Sequence, residues 1–497
     1  MESDCCIQQA TRLGHLLTDS ADDFAGKRRR RQGRIAILFD FFVGAEMRAE
    51  KAVSPLLYRW GIGGVAYGLR CCIGGGWLWG VCWRVGGATI ALALERLHRY
   101  QFSALLTMEH HISNRVAALT PSLTLAISAK AKQMKAEGKG VVGFGAGEPD
   151  FDTPQHIKDA AAKALSDGFT KYTPSSGVLE LREAIAEKFQ NENGLTYSPS
   201  QIIVNCGGKH SCYNVIMAVC DPGDEVIIPA PYWVSYPEMV KLAEAIPVIL
   251  PATDETAFKV APEQLEAAIT DRTRLFILNS PSNPTGAVYT PEEIKALGDI
   301  CVAKGVYIMS DEIYERLIYG DTIHRCVATF SDEHYEHTII VHGFAKAWSM
   351  TGWRLGFLAA PEPIAKAINA MQSHSTSNPT SFAQMGGVAA LRGPQAHLAG
   401  WLVQFDQRRR FALERLRAMK EIRCVEPLGA FYLFPNVSGT GLNSIEFCER
   451  LLEEKQVAMV PGVAFGSNEC LRLSYATSME NIKEGLDRMA AFVEMLG

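Results

Sequence analysis

The chain predicts an α/β fold, in which a large domain with a mainly parallel sheet flanked by helices is joined to a smaller α+β domain. Three observations predict it. Short apolar runs rich in β-branched residues recur from residue 202 onward without the polar alternation of a one-sided strand, which suits strands buried on both faces. Helical patterns fill the gaps between them, the alternation that a parallel sheet requires. Near residue 395 the pattern changes to one long helix and then short strands.

Taken in order, a first helix is expected over 155–166, apolar at Ile157, Ala160, Ala161, Ala164 and Leu165. A second is expected over 178–190, apolar at Leu181, Ile185 and Phe189. Strands are expected at 202–204, 225–228, 275–278, 306–309, 339–341 and 355–358. Between the third and fourth of these, Thr290 caps a helix over 291–304, with Pro291 at its first position and Glu293 at its third. A helix over 407–420, rich in Arg and Leu, leads to strands at 430–434 and 470–474. The expected organisation is an N-terminal extension (1–107), an N-terminal part of the small domain (108–155), the large domain (156–394) and the C-terminal small domain (395–497).

A chain of 497 residues has room for roughly two to four domains. With 47% hydrophobic and 21% charged residues it is neither disordered nor fibrous, and a net charge of −5 offers no global attraction to nucleic acid or an acidic membrane. The average conceals two parts. Residues 1–107 carry net +5 and hold four of the eight Trp and five of the thirteen Cys, whereas the remainder carries net −10. The basic run Lys27 to Arg31 with Arg34 lacks interleaved aromatic residues and reads as a solvated charge run. The Gly-rich apolar stretch 71–83 is shorter than the about 20 residues a membrane span needs. No signal-peptide pattern opens the chain, and the acidic residues argue against a transit peptide. The first 107 residues are therefore expected to be disordered or to lie outside the functional fold, as an upstream start of the reading frame would give. The other eight Cys show no metal-binding spacing, which suits free thiols in a reducing, cytoplasmic setting.

Several strings sit at strand ends, where open α/β sheets place their chemistry. Gly143 to Gly147 lacks dinucleotide-fingerprint spacing and reads as a tight path that lets a ligand approach the backbone. Asn205-Cys206-Gly207-Gly208-Lys209-His210-Ser211 ends a strand and opens a helix, so its free amides suit an anion, with the Ser211 hydroxyl as a further donor. The turn Asn283-Pro284-Thr285-Gly286, the acid Asp311, the amine Lys346 and the guanidinium Arg354 lie at or beside four neighbouring strand ends. Each has a bland reading as turn, cap or surface charge; together they surround one crevice. Pyridoxal 5′-phosphate chemistry needs this set: an amine for a Schiff base with the aldehyde, a carboxylate for the pyridine nitrogen, and a guanidinium with amides for the phosphate.

From about residue 113 to 496 the chain resembles a class I aminotransferase of fold type I, in the bacterial-type aspartate aminotransferase subgroup that includes prephenate-active relatives. The strings that carry the resemblance are AGEPDFDTP (146–154), KYTPSSG (171–177), PAPYWVSYPEM (229–239), NSPSNPTG (279–286), SDEIYE (310–315), GFAKAWSMTGWRLGF (343–357), GAFYLFP (429–435) and RLSYATS (472–478). The resemblance implies an enzyme that moves the amino group of aspartate to 2-oxoglutarate through pyridoxal and pyridoxamine forms of the cofactor, with no metal. Lys346 then holds the cofactor and, once released, carries the proton. Asp311 pairs with the ring nitrogen; Tyr314, one helical turn on, and Asn283 bond the ring oxygen; Trp233 stacks on the ring. Arg354, the amides of Gly208 and Lys209, and Ser211 bind the phosphate, and Tyr172 reaches the phosphate of a neighbouring subunit in a homodimer with shared sites. Arg472 forks the substrate α-carboxylate beside Gly147, and Lys209 and Thr124 contact a distal carboxylate, which favours dicarboxylic amino acids and 2-oxo acids.

The chain departs from the resemblance in places. Ala345 stands where many relatives have Ser before the lysine, Thr120 stands where prephenate-active members often have Lys, and His210, where many have Gln, reads as a structural histidine. Three alternatives stay open: prephenate or another 2-oxo acid as acceptor, a lyase on the same fold, and a cofactor-binding regulator that uses the basic run as a DNA-binding arm. No helix-turn-helix pattern accompanies that run, and the implied partners are small molecules, without nucleic acid or membrane.

Overall fold

The computed structural model describes residues 111–120 and 123–496, of which 123–126 and 128 are described by backbone alone, together with the backbone of four strands between 57 and 91. The chain divides into two compact units, residues 1–110 and 111–497. In the first, β1 (Leu57–Trp60), β2 (Gly64–Ile73), β3 (Gly76–Val85) and β4 (Ala88–Ala91) form an antiparallel meander. This stretch belongs to the segment expected to be disordered or outside the fold. Ile73 pairs with Gly76 and Val85 with Ala88 in the antiparallel ladders.

In the second unit, β5 (Val142–Gly143) is followed by the seven strands of the main sheet: β6 (Ile202–Asn205), β7 (Glu225–Ala230), β8 (Ile246–Pro251), β9 (Thr273–Asn279), β10 (Tyr307–Asp311), β11 (Thr338–Gly343) and β12 (Gly356–Ala359). Their order is β6-β12-β11-β10-β9-β7-β8. The sheet is parallel except for β12, which runs antiparallel to both β11 and β6. Alternate residues face opposite layers: Ile203, Ile228, Ile277, Met309 and Val341 enter one apolar cluster, while Val204, Ile340 and Phe357 enter a second, and Ile227, Phe276 and Ile308 a third. Each fully buried side chain of this kind contributes about 1.5–3 kcal/mol. The helix Pro291–Lys304 starts as expected, with the Thr290 hydroxyl accepting from the Glu293 amide at 3.2 Å and the Glu293 carboxylate accepting from the Thr290 amide at 2.8 Å.

β8 was not anticipated. It is an edge strand whose apolar run Val248-Ile249-Leu250 is flanked by Pro247 and Pro251, with most of its residues partly or fully exposed, and the prolines obscured it as a strand. The long helix starts earlier than expected, at Ala396–Arg417. Beyond it, β13 (Tyr432–Leu433), β15 (Val460–Pro461) and β16 (Leu471–Ser474) form a small sheet, and β14 (Val457–Ala458) pairs in parallel with β5. Phe144 shares one core with Phe405, Leu416, Phe431, Leu451, Leu473 and Phe492, so residues near 144 pack within the C-terminal layer.

Candidate active site

The parallel strands β6, β7, β9, β10 and β11 end at one rim of the sheet. Because β12 runs against them, its beginning lies at that rim as well, and Arg354, two residues before Gly356, joins them there. Gly207, at φ +91°, turns the chain from β6 into the helix Gly208–Val219. Helix geometry leaves the amides of Gly208 and Lys209 free to meet an anion. Arg354 closes the cup: a methyl group built on Gly207 would lie 2.7 Å from its Nη2, and its Nη1 donates to the Thr351 carbonyl at 2.9 Å. On the other side, a methyl group on Gly356 would lie 2.3 Å from the Gly208 nitrogen, so bare backbone is required there.

Ser211 does not reach this cup. It is fully buried and its hydroxyl donates to Asn205 Oδ1 at 2.8 Å, so the phosphate-donor role expected of it is corrected to a bond inside the core. His210 Nδ1 accepts the Cys206 amide at 3.3 Å, a bond within the same turn.

Asp311 ends β10 and is buried, with Oδ2 accepting from the Tyr236 hydroxyl at 2.5 Å and Oδ1 from the Ile313 amide at 3.3 Å. Burial pushes its carboxyl above the usual range, while the bonds from Tyr236 and Ile313 pull it back. Among the described residues none of its hydrogen-bond partners is a cation, so a cation beside it would meet a buried acceptor that lacks one. Tyr236 meets Trp233 edge-to-face at 5.2 Å between ring centroids, and Lys209 Nζ lies 5.0 Å from the Trp233 ring. Burial and the neighbouring Arg354 lower the Lys209 pKa.

Lys346, half-buried in the loop after β11, donates to the Gly147 carbonyl and lies 5.5 Å from the centroids of Tyr314 and Phe431. Burial of its surroundings and then the Arg472 charge bring its pKa down to about 8, against the opposing pull of Glu148 and Asp311. Tyr314 sits on a turn after β10, where a helical turn was expected, and its hydroxyl pairs with that of Tyr432 at 2.9 Å. Arg472, buried on β16, donates from Nη1 to Asn283 Oδ1 and from Nη2 to the Gly145 carbonyl, each at 3.0 Å. Its Nε has no partner among the described residues, and its guanidinium lies 4.7 Å from the Tyr432 ring centroid. Asn283 is fixed from behind, its amide donating to Asn279 Oδ1 at 2.8 Å.

Lys346, Asp311, Tyr314, Asn283, Trp233, Arg354, Gly208, Lys209, Gly147 and Arg472 are thus linked by contact around one rim. Tyr172 stands apart with 90% of its surface exposed, and the Thr124 side chain lies outside the described residues. Two participants were missed, Tyr236 and Tyr432. Tyr236 stands three residues after Trp233 and Tyr432 lies in the string GAFYLFP, so both were present in strings quoted above without a role of their own.

The profile of the family described as aminotransferase class I and II matches residues 139–489. The chain belongs to that family. It is 51% identical over 388 residues to an aspartate aminotransferase of Bacillus subtilis (strain 168), covering 77% of this chain and 99% of that one. It is 48% identical over 392 residues to an aspartate/prephenate aminotransferase of Cereibacter sphaeroides, covering 77% and 98%. Among solved structures, the aspartate aminotransferase of Thermus thermophilus with maleate superposes with a TM-score of 0.74 at 44% identity, covering 77% of this chain and 99% of that one. This aminotransferase is therefore an α/β enzyme of fold type I, and its fold accounts for the rim just described.

Proposed function

We propose that this aminotransferase transfers the amino group of L-aspartate to 2-oxoglutarate in a ping-pong reaction with pyridoxal 5′-phosphate. One observation carries the reading: a buried guanidinium with a free Nε (Arg472) faces the same pocket as an amine of lowered pKa (Lys346) and a buried carboxylate without a cation partner (Asp311). The residues fit the cofactor, since the Gly207–Gly208 turn with Arg354 matches a phosphate, and Asp311 matches a protonated ring nitrogen.

When bound, the cofactor supplies the electron sink that lets an amino acid lose its Cα proton. Arg472 orients the substrate by its α-carboxylate, already held on one side by Asn283 and Gly145. Lys346, whose amine is substantially unprotonated near pH 8, takes the proton from Cα and returns it on the other side of the transfer. Asp311 would hold the ring nitrogen of the cofactor in its protonated form, and the Tyr236 hydroxyl already fixes its Oδ2. Tyr314 and Asn283 would bond the ring oxygen, and Trp233 would stack on the ring. Lys209, at the mouth beside Trp233, offers a cation to a distal carboxylate, and the maleate in the Thermus thermophilus structure is a ligand of that dicarboxylate class. The working form is read as a homodimer with shared sites, in which Tyr172 reaches the neighbouring phosphate; its exposed phenol supports that reading. Cytoplasmic residence is proposed with it, supported by the eight cysteines of the described residues, all free thiols and seven of them buried.

The test is spectroscopic. Aspartate alone should abolish the visible absorption of the cofactor-loaded protein, and 2-oxoglutarate alone should restore it. No spectral change with any dicarboxylic amino acid sinks the assignment. Prephenate as acceptor is a second reading, favoured by relatives named aspartate/prephenate aminotransferase, and the same cuvette decides it when prephenate replaces 2-oxoglutarate.

A further inference from the structure

Beneath the rim lies a buried chain of charged groups that the reaction above does not use. Lys188, at the end of the helix Leu179–Lys188, is almost fully buried, and its ammonium contacts the Glu315 carboxylate and donates to Asn193 Oδ1 at 2.9 Å. The same Glu315 oxygen lies 2.9 Å from Nε2 of the buried His342, and Asn193 Nδ2 donates to its other oxygen at 3.3 Å. His342 stacks on Phe357 with ring centroids 5.1 Å apart, and its Nδ1 accepts the Gly343 amide at 2.7 Å. Glu315 directly follows Tyr314, and His342 opens the five-residue path that ends at Lys346.

A nitrogen that accepts the Gly343 N–H carries no proton, so the ring proton of the neutral histidine is assigned to Nε2, which approaches Glu315 Oε1 to 2.9 Å as a charge contact without hydrogen-bond geometry. Glu315 is anionic despite its burial, because the Lys188 ammonium offsets the desolvation that would otherwise protonate it. Glu312, Glu315 and His324 place ligand atoms within 4.8 Å of one another, the spacing of a metal site, but the Lys188 ammonium at Glu315 already supplies the positive charge there.

We propose that His342 is a positioning residue for the proton-carrying lysine: the Lys188–Glu315 pair locks its Nε2–H tautomer, and the free Nδ1 anchors the Gly343 amide at the root of the Lys346 loop. The inference rests on the aminotransferase reading for its kinetic consequence, but the anchoring itself is a property of the cofactor-free chain. Three variants separate the elements. His342→Phe keeps a ring against Phe357 and removes both polar contacts. His342→Asn retains an oxygen where Nδ1 accepts. Glu315→Gln keeps the shape and removes the charge that selects the tautomer.

Amide hydrogen exchange of the segment 343–346 in the cofactor-free protein is the first readout, and steady-state kinetics of the loaded enzyme is the second. In His342→Phe the segment should exchange at least about tenfold faster, the loss of one hydrogen bond, and kcat should fall about ten- to a hundredfold while KM for aspartate stays within about threefold. His342→Asn should restore protection and most of kcat, and Glu315→Gln should fall between. Unchanged exchange and kcat in His342→Phe overturn the proposal. So does an equal loss of thermal stability, exchange protection and kcat in His342→Phe and His342→Asn, which would mark simple packing. If exchange responds as expected but no variant, nor the parent, transaminates, the anchor stands and the functional reading falls.

Discussion

Arg472→Lys keeps the positive charge of the substrate pocket and removes its geometry. Arginine carries five N–H donors in a planar fork. Two directions are spent on Asn283 Oδ1 and the Gly145 carbonyl at 3.0 Å each, which leaves Nε and the outer N–H groups for a carboxylate. A lysine has three donors. If two of them satisfy the same buried acceptors, one remains, so a two-bond clamp becomes a single contact. A charge-assisted hydrogen bond contributes about 1.5–3 kcal/mol, and a factor of ten in rate corresponds to about 1.4 kcal/mol, so kcat/KM for aspartate should fall about 10- to 150-fold. The dissociation constant of maleate, an unreactive dicarboxylate, should rise in step when followed by the cofactor's absorption. Denaturation measured alongside controls for unfolding, since the buried charge is kept. An Arg472→Lys enzyme that retains kcat/KM and maleate affinity within about threefold of the parent would refute the role assigned to the fork.

Three further outcomes follow from the same rim. The Lys346 pKa of about 8 means that the folded chain releases this proton before the unfolded chain does, so stability relative to Lys346→Met should rise as pH climbs from about 8 toward 10.5; urea denaturation of the cofactor-free proteins at several pH values checks the sign, and a flat difference contradicts it. Tyr236→Phe removes the 2.5 Å bond to Asp311 and should weaken cofactor affinity about tenfold or more, measured by equilibrium dialysis, with aspartate KM little changed. Gly356→Ala places a methyl group 2.3 Å from the Gly208 nitrogen and should lower stability by about 1–3 kcal/mol and phosphate affinity with it; tolerance of the methyl group would mean that the two backbones are not in contact.

How far the molecule was legible from its residues depended on the kind of signal. The strands of the sheet centre announced themselves because burial on both faces demands continuous apolar runs, as in Ile339-Ile340-Val341. The edge strand β8 carries an apolar run as well, Val248-Ile249-Leu250, but Pro247 and Pro251 on either side of it argue against a strand and hid it. The Gly-Gly pairs at 74–75 and 86–87 between apolar runs are a turn signal in the sequence that marks the meander of β1 to β4. At the site, residues that act by charge at strand ends (Asp311, Lys346, Arg354) stood out through position and chemistry together. Ser211 misled because sequence gives spacing along a helix without its rotation, and the first turn points this hydroxyl inward to Asn205. Tyr236 and Tyr432 meet their partners Asp311 and Tyr314, and His342 meets Glu315, only through folding, and nothing local distinguishes them from ordinary core aromatics.

The reversed strand β12 also bears on how the enzyme comes into being. Asn205 and Gly356 are partners in the ladder although about 150 residues separate them along the chain. The anion cup, with Gly208 on one strand's exit and Arg354 on the other's entrance, cannot exist until that distant pairing has closed, and long loops of this kind close late because their entropy must be overcome first. During synthesis this cup is therefore absent until β12 has emerged and docked beside β6, so, with the cup as the proposed phosphate seat, cofactor capture should report completed assembly of the sheet centre, and a chain truncated before residue 356 should not retain the cofactor.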